Sequence, residues 1–235
     1  MLTQIGIDKI LFLDIETVPC VYRFDDLDPK TQDLYALKTR FIQEREEKTA
    51  QEAYDRAGIY AEFGKVICIS TAFINGNTLR VKSFYGDDET EVLRQFAELL
   101  NRYFASDQQY LCGHNIKEFD IPFLARRMVI NGVELPNMLD LAGKKPWEVR
   151  HLDTMELWKF GDYKHFTSLS LLTHIFGIPT PKDDISGADV SRVYWEEEDL
   201  ERIKVYCEKD TIAVAQLLMK FKNLPLIEDE YIESV

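Results

Sequence analysis

The sequence has no apolar run that approaches the length of a membrane-spanning helix, and its first ten residues do not combine a basic segment with an apolar one. We therefore expect neither membrane insertion nor secretion. Internal repeats, low-complexity tracts and Gly/Ser-rich linkers are also missing. With 46% hydrophobic and 29% charged residues, the 235-residue chain has the composition of a globular protein that buries a sizeable core.

Cysteines are few, and their spacing excludes the common metal and redox motifs. They form no C-x-x-C pair and mostly lie in apolar stretches. This pattern favours buried, reduced thiols in a cytoplasmic protein over disulfides or zinc ligands. The four histidines lack the spacing of zinc ligands as well.

Basic residues are also in short supply. There are 28 lysines and arginines against 41 aspartates and glutamates, for a net charge of −13. A protein that holds duplex nucleic acid through many phosphate contacts is usually basic, so that class is disfavoured. A hydrolase that binds divalent metal ions through carboxylates is still compatible, because the ions offset part of the negative charge.

The apolar pattern predicts strands that alternate with helices. We expect strands at residues 9–18, 66–74, 79–85, 110–113 and 150–155, and helices at 89–104, 121–131, 168–176 and 196–221. Residues 182–193 look like a polar loop. The predicted fold is α/β, with a mixed five-stranded sheet flanked by helices, in a single domain that spans residues 1–235.

A polar segment at about residues 25–60 interrupts this pattern after the first strand. Its apolar residues Leu34, Leu37 and Phe41 recur at helical spacing, which predicts a helical insert of one or two helices. Its charged residues indicate a solvated flap, and a substrate guide or a partner surface is a possible role.

Asp14 and Glu16 interrupt the apolar first strand. Residues two apart in a strand project from the same face, so the two carboxylates lie side by side. Burying both costs several kcal/mol unless cations compensate, and divalent ions with oxygen ligands are the natural compensation. The alternatives are that the strand end emerges into solvent, or that each acid meets a basic side chain.

Two further segments place acids where a site would need them. Tyr206 and Asp210 are four apart on the last predicted helix and therefore share a face, although both would also suit the edge of a core. Asp120 follows Asn115 and Phe119 at the threshold of a helix, where an ordinary N-cap is the alternative.

The three segments together resemble a known family. The order D-x-E on a strand, N-x-x-x-F-D, then Y-x-x-x-D on a late helix is similar to the DEDD exonucleases of the tyrosine subclass. The chain resembles the predicted 3′–5′ exonucleases related to the proofreading domain of family B DNA polymerases. Further similarity at His151–Thr154 and Ser168–Leu169 extends this over nearly the whole chain, without room for a polymerase domain. In the histidine subclass the residue that assists catalysis lies five positions before the last Asp. That position is Val205 here, so the tyrosine subclass fits and the histidine subclass does not.

The resemblance implies a ribonuclease-H-like exonuclease fold and a two-metal-ion hydrolysis of phosphodiester bonds from a 3′ end. Catalysis would use two Mg²⁺ or Mn²⁺ ions about 3.5–4 Å apart, with Tyr206 orienting the attacking water. The implied metal ligands are Asp14, Glu16, Asp120 and Asp210. The implied substrate-binding residues are Thr17, Asn115 and Phe119, although Phe119 also suits the core.

The substrate and some roles are left open by the residues. Single-stranded DNA is the expected substrate, with trimming of RNA 3′ ends, a ribonuclease-H-like endonuclease and a catalytically silent binding module as alternatives. Asp153 suits a stabilising hydrogen bond as well as a site role. Lys164 and His165, on a polar loop, are candidates for phosphate contacts.

Overall fold

The computed structural model describes residues 4–162, 166–179 and 185–235. The strands are β1 (Ile10–Pro19), β2 (Gly64–Asn75), β3 (Thr78–Tyr85), β4 (Tyr110–Gly113), β5 (Leu152–Asp153) and β6 (Ile232–Ser234). The helices are α1 (Pro29–Glu46), α2 (Glu89–Tyr103), α3 (Asp120–Ile130), α4 (Thr154–Lys159), α5 (Leu169–Ile175), α6 (Val190–Trp195) and α7 (Leu200–Phe221). None of the helices in the described ranges is long and apolar enough to cross a membrane.

The strands form one mixed sheet in the order β5-β4-β1-β2-β3-β6. β1, β2 and β3 are antiparallel neighbours, and the turn between β2 and β3 uses Gly76 at a φ of 61°. β4 runs parallel to β1 and β5 parallel to β4. The carboxyl ends of β1, β4 and β5 therefore meet at the same edge of the sheet.

The predicted α/β class with a mixed sheet and flanking helices is confirmed, but the sheet has six strands rather than five. The additional strand, β6, pairs in parallel with β3 through Ile232 and its neighbours. Three residues of mostly polar sequence carry no strand pattern of their own. Their extended conformation comes from the free edge that β3 offers.

Helices cover both faces of the sheet, and β1 shows how its side chains are divided between them. Leu11, Leu13 and Ile15 pack with α2 and α3 in the largest apolar cluster. Ile10 and Phe12 point to the other face, where they pack against α7. This alternation follows from the period-2 geometry of a strand.

The insert predicted at about residues 25–60 contains α1 and a 3₁₀ helix over Tyr54–Ile59. Leu34, Leu37 and Phe41, whose spacing predicts the helix, are 46%, 67% and 71% exposed. The buried side of α1 carries Tyr35, whose hydroxyl donates to the Ala53 carbonyl at 2.7 Å. Aromatic rings surround Tyr35 and anchor the insert.

Two predicted segments are shorter or more structured than expected. The strand predicted at 150–155 has only two residues, because the Asp153 side chain accepts from the Met155 N–H and starts α4 at Thr154. The loop predicted at 182–193 contains the beginning of α6, which Val190 and Val193 anchor in the core. Residues 182–184 of that prediction lie outside the described residues.

Candidate active site

The carboxyl end of β1 presents two acids to α7. Asp14 and Glu16 continue the alternation of Ile10 and Phe12, so both side chains lie on the α7 side of the sheet. Asp14 is partly buried, and Glu16 is 8% exposed. The pairing of β1 with β2 shifts register between Glu16 and Thr17. Such irregularities bend a strand and re-aim side chains, and here one interrupts the regular pairing directly after the two acids.

Helix α7 brings the second pair of residues to the same place. Its apolar side, with Ile203, Cys207 and Val214 fully buried, holds the helix against the sheet. Tyr206 and Asp210 lie one turn apart at the edge of that side, close enough that the Asp210 charge raises the pKa of the Tyr206 hydroxyl. Asp210 interacts electrostatically with both Asp14 and Glu16.

Asp120 completes the cluster from α3. It is the first residue of that helix, and Phe119 occupies the N-cap position, so the N-cap alternative does not describe it. Its side chain is 5% exposed and lies close enough to the β1 backbone to interact with the Ile15 N–H. Its negative charge raises the pKa of both Asp14 and Glu16. The structure therefore gathers the acids of all three sequence segments in one cluster.

Burial makes three acids of this cluster, Asp14, Glu16 and Asp120, hard to ionise. Burial raises the pKa of Asp14 well above its ordinary value, and the charges of Glu16, Asp120 and Asp210 raise it further. The pKa of Glu16 is raised in the same way, first by burial and then by Asp210. Burial raises the pKa of Asp120 to about 7, although its own N–H and that of Ile15 oppose the rise.

Tyr206 shares this environment. Burial raises the pKa of its hydroxyl above the ordinary value for tyrosine, and the charges of Asp210, Glu16 and Asp14 add to the rise. The hydroxyl is therefore protonated at neutral pH and acts as a hydrogen-bonding group rather than a base.

The donor set fits divalent cations of the hard, oxygen-binding kind. Among the described residues, no lysine or arginine forms an ion pair with Asp14, Glu16 or Asp120. Buried carboxylates without a cation are costly, and Mg²⁺ and Mn²⁺ prefer such oxygen ligands. The cluster thus has both the ligands and the unbalanced charge that a metal site requires.

Asn115 and Asp153 lie beside the cluster, and the structure separates their roles. Asn115 has a φ of 65°, a left-handed conformation that asparagine tolerates better than most residues. Asp153 stabilises this turn, since its carboxylate accepts from the Asn115 N–H at 3.0 Å and the Lys117 N–H at 3.2 Å. The sequence suited Asp153 to a stabilising hydrogen bond or to a role in the site. In the structure it makes the stabilising hydrogen bonds.

The other residues selected from the sequence are less uniformly placed. Thr17 is partly buried directly after the register shift. Phe119 packs its ring against Phe123, with the centroids 5.5 Å apart, at the border of the apolar core. His151 accepts from one backbone N–H, and its other ring nitrogen bonds a backbone carbonyl. The proposed phosphate contacts at 164 and 165 lie outside the described residues.

Cys207 also belongs to the cluster, although the sequence pattern predicts only a buried, reduced thiol at this position. Its Sγ lies 3.5 Å from Oδ2 of Asp14 and 3.4 Å from the Asp14 carbonyl oxygen. The ligand atoms of Asp14, Glu16 and Cys207 all lie within 4.8 Å of one another. Its helical spacing from Asp210 was the available signal, because residues three apart share a helix face.

A family model described as "Predicted 3'-5' exonuclease related to the exonuclease domain of PolB" matches residues 59–233, well over half of the chain. The matched range contains Asp120, Tyr206 and Asp210 and begins after Asp14 and Glu16.

The structure is similar to that of the family B DNA polymerase from the hyperthermophilic archaeon Pyrobaculum calidifontis, with a TM-score of 0.54 and 17% sequence identity. The similarity covers 90% of this chain and 24% of the polymerase, so this chain spans about a quarter of that protein's length. At this identity the likeness shows a shared fold.

Proposed function

We propose that this chain, which belongs to the family of predicted 3′–5′ exonucleases related to the exonuclease domain of PolB, removes nucleotides from the 3′ end of single-stranded DNA with the help of divalent metal ions. The observation that carries the proposal is the convergence of Asp14, Glu16, Asp120 and Asp210. Separate sequence segments supply these acids, and the fold stabilises their closeness against strong repulsion. We further propose that residues 1–235 form one exonuclease domain, with residues 25–60 as its insert.

The four acids are proposed to hold two Mg²⁺ or Mn²⁺ ions. When bound, the ions would supply Lewis acidity for activating water and positive charge for the phosphate. Asp14 and Glu16 each interact electrostatically with the other three acids. By the family resemblance, Asp14, Glu16 and Asp210 would hold one ion, and Asp14 would hold the other with the help of Asp120.

Tyr206 is proposed to align the attacking water. Its hydroxyl lies beside Asp210 and is protonated, so the phenol oxygen can accept a hydrogen bond from water while its proton is donated to a neighbouring oxygen. Because its pKa is raised, the phenol does not take the proton itself. The side chain acts by restricting where the water lies and which way it points.

Three residues are proposed to receive the end of the nucleic acid strand. Thr17 lies next to Glu16 and offers a hydroxyl group. The Asn115 backbone is fixed by Asp153, while its carboxamide makes no hydrogen bond among the described residues and is available to the substrate. Phe119 offers the partly exposed edge of a ring that is otherwise anchored on Phe123.

The proposal is tested with 5′-labelled DNA and RNA oligonucleotides, each with a free or a blocked 3′ end, in Mg²⁺, Mn²⁺ or EDTA. We expect a ladder that shortens from the free 3′ end of DNA, faster than RNA, only with metal. Asp14→Asn serves as the inactive control.

Other outcomes would point to other functions. Faster shortening of RNA would make the protein an RNA-trimming enzyme, and internal cuts in blocked strands would make it an endonuclease. A pure protein that binds Mn²⁺ but shortens none of these substrates would overturn the nuclease proposal and favour a silent binding module.

A further inference from the structure

A thiol lies inside the carboxylate cluster, which is unusual for a site that serves hard metal ions. Cys207 is fully buried on α7, and its Sγ is 3.5 Å from Oδ2 of Asp14. One ligand atom from each of Asp14, Glu16 and Cys207 lies within 4.8 Å of the other two. Two oxygens and one sulfur thus surround the same small volume.

The separation between the sulfur and the Asp14 oxygen suits joint coordination of one ion. A tetrahedral zinc ion with a bond of about 2.3 Å to sulfur and about 2.1 Å to oxygen holds the two ligand atoms roughly 3.5 Å apart. The observed 3.5 Å between Sγ and Oδ2 needs no rearrangement of the backbone to match this value.

Glu16 provides a second, independent indication of a bound cation. Its side chain is more than nine-tenths buried, yet its carboxylate takes part in no hydrogen bond or ion pair among the described residues. Among the described residues no fully enclosed side-chain oxygen lacks a partner, so the Glu16 oxygens keep a small accessible surface through which a cation can reach them. A carboxylate in this situation, facing the Asp14 and Cys207 side chains, has the position of a ligand.

We propose that Asp14, Glu16 and Cys207 bind a thiophilic divalent cation of the zinc class, which competes with Mg²⁺ or Mn²⁺ for the same acids. Thiolate ligands select ions such as Zn²⁺, whereas Mg²⁺ and Mn²⁺ prefer oxygen. Coordination releases the Cys207 thiol proton to solvent and replaces its contact with Asp14. The proposal rests on the metal-binding role of Asp14 and Glu16 and adds an inhibitory ion to that site.

Co²⁺ is the probe for the sulfur ligand, because a cobalt–thiolate bond produces a charge-transfer absorption that oxygen ligands do not. The titration uses a Cys20→Ser background, which removes the exposed thiol, and a phosphine reductant in place of thiol reagents. We expect the absorption in this background. We expect its loss in Cys20→Ser/Cys207→Ser, together with at least about a tenfold weaker affinity for Zn²⁺.

Controls separate loss of the ligand from loss of the fold. Cys112→Ser changes another fully buried thiol, in β4 and outside the cluster, and should keep the cobalt absorption. Mn²⁺ binding is measured on every variant to show that the acids are still assembled. The chemical shift of ¹¹³Cd bound to the unmodified protein reports sulfur coordination without any substitution.

The proposal is overturned if the charge-transfer absorption survives in the Cys207 variant, or if the cadmium shift indicates oxygen ligands alone. Either result with normal Mn²⁺ binding and nuclease activity would leave the exonuclease assignment intact. Absence of Mn²⁺ binding would instead contradict the proposed function itself.

Discussion

Two sets of buried carboxylates in this molecule have opposite surroundings. Glu89 on α2 is 7% exposed and accepts hydrogen bonds from the Val66 N–H at 2.8 Å and from the Asn131 amide at 2.9 Å. It also forms a two-pronged ion pair with Arg127, which is itself 6% exposed. Arg127 in turn donates to the Ala61 carbonyl at 2.9 Å, so this group of charges is satisfied within the chain.

In the acid cluster beside β1, Glu16 and Asp120 are buried to a similar degree and Asp14 is partly buried, but these acids face one another. Asp14, Glu16 and Asp120 have no basic partner among the described residues, and their pKa values are all raised. The contrast indicates that the fold does supply a counter-charge where a carboxylate serves structure. Where it supplies none, we infer that the counter-charge comes from bound metal ions.

The largest expected effect comes from removing Asp14, the acid that is proposed to hold both ions. Asp14→Asn should lower the rate of nucleotide release by at least about 10⁴-fold, equivalent to about 5 kcal/mol of transition-state stabilisation, because the metal ligands no longer act together. Single-turnover degradation of a labelled oligonucleotide measures this. Asp8→Asn, at an exposed position, is the matched control and should leave the rate unchanged. A similar loss in both variants would refute the special role of the cluster.

The structural ion pair should show the opposite behaviour. Arg127→Met leaves Glu89 buried without its cation and should cost about 3–5 kcal/mol of unfolding free energy, measured by urea denaturation. Arg94→Met, which breaks the exposed pair with Glu91, should cost less than about 1 kcal/mol. The folded fraction of Arg127→Met should keep its nuclease activity. If both variants were equally stable, the distinction between structural and site carboxylates would fail.

The stability of the metal-free protein should depend on pH through Asp120, one of the acids without a counter-charge. The folded pKa of Asp120 is raised to about 7, so the folded state binds more protons than the unfolded state between about pH 4 and pH 7. Stability is therefore lost as the pH rises through this range, by up to about 4 kcal/mol for this group. Asp120→Asn should match the wild type near pH 4 and exceed it near pH 8 in EDTA.

A second buried group titrates in the opposite sense and is used as a check. Burial lowers the pKa of His151 to about 4, so its contribution to stability is lost as the pH falls from about 6.5 through 4. Because His151 is present in both proteins, it cancels in the difference between wild type and Asp120→Asn. A difference that does not grow with pH would contradict the raised pKa of Asp120.

The smallest expected effect is that of the phenol. Tyr206→Phe removes the hydroxyl beside Asp210 and the proposed alignment of water but keeps the ring in the core. We expect a rate loss of about 10–100-fold, below the range that a true general base contributes. Mn²⁺ affinity should change little, which distinguishes alignment from metal binding. A loss as large as that of Asp14→Asn would assign Tyr206 a more direct role.

Much of this architecture follows from local sequence patterns. Alternation of apolar residues fixes β1, and the acids that interrupt it stand out because a buried strand has no ordinary use for them. The same reasoning missed β6, whose three residues depend on pairing with a strand far away in the sequence. The spacing of Leu34, Leu37 and Phe41 predicts a helix in the insert, but it does not show that Tyr35, in an aromatic cluster, anchors that helix.

Part of the candidate site could also be predicted from local sequence patterns. Helical spacing places Tyr206 and Asp210 together, but it does not show which strand they face. The turn at Asn115, with its left-handed backbone, is held by two hydrogen bonds that the Asn115 and Lys117 N–H groups donate to the distant Asp153, and no local pattern encodes that contact. The closeness of Cys207 to Asp14 is likewise a property of how α7 packs on β1.

The most direct test of the cation-binding cluster is the thermal unfolding midpoint with and without saturating Mn²⁺. For the wild type we predict a rise of roughly 5–10 °C, as expected for ligand binding worth about 3 kcal/mol. Asp14→Asn should show no rise and a metal-free midpoint at or above that of the wild type. The account would be contradicted by a wild-type midpoint that does not change with Mn²⁺. It would also be contradicted if Asp14→Asn were less stable than the metal-free wild type.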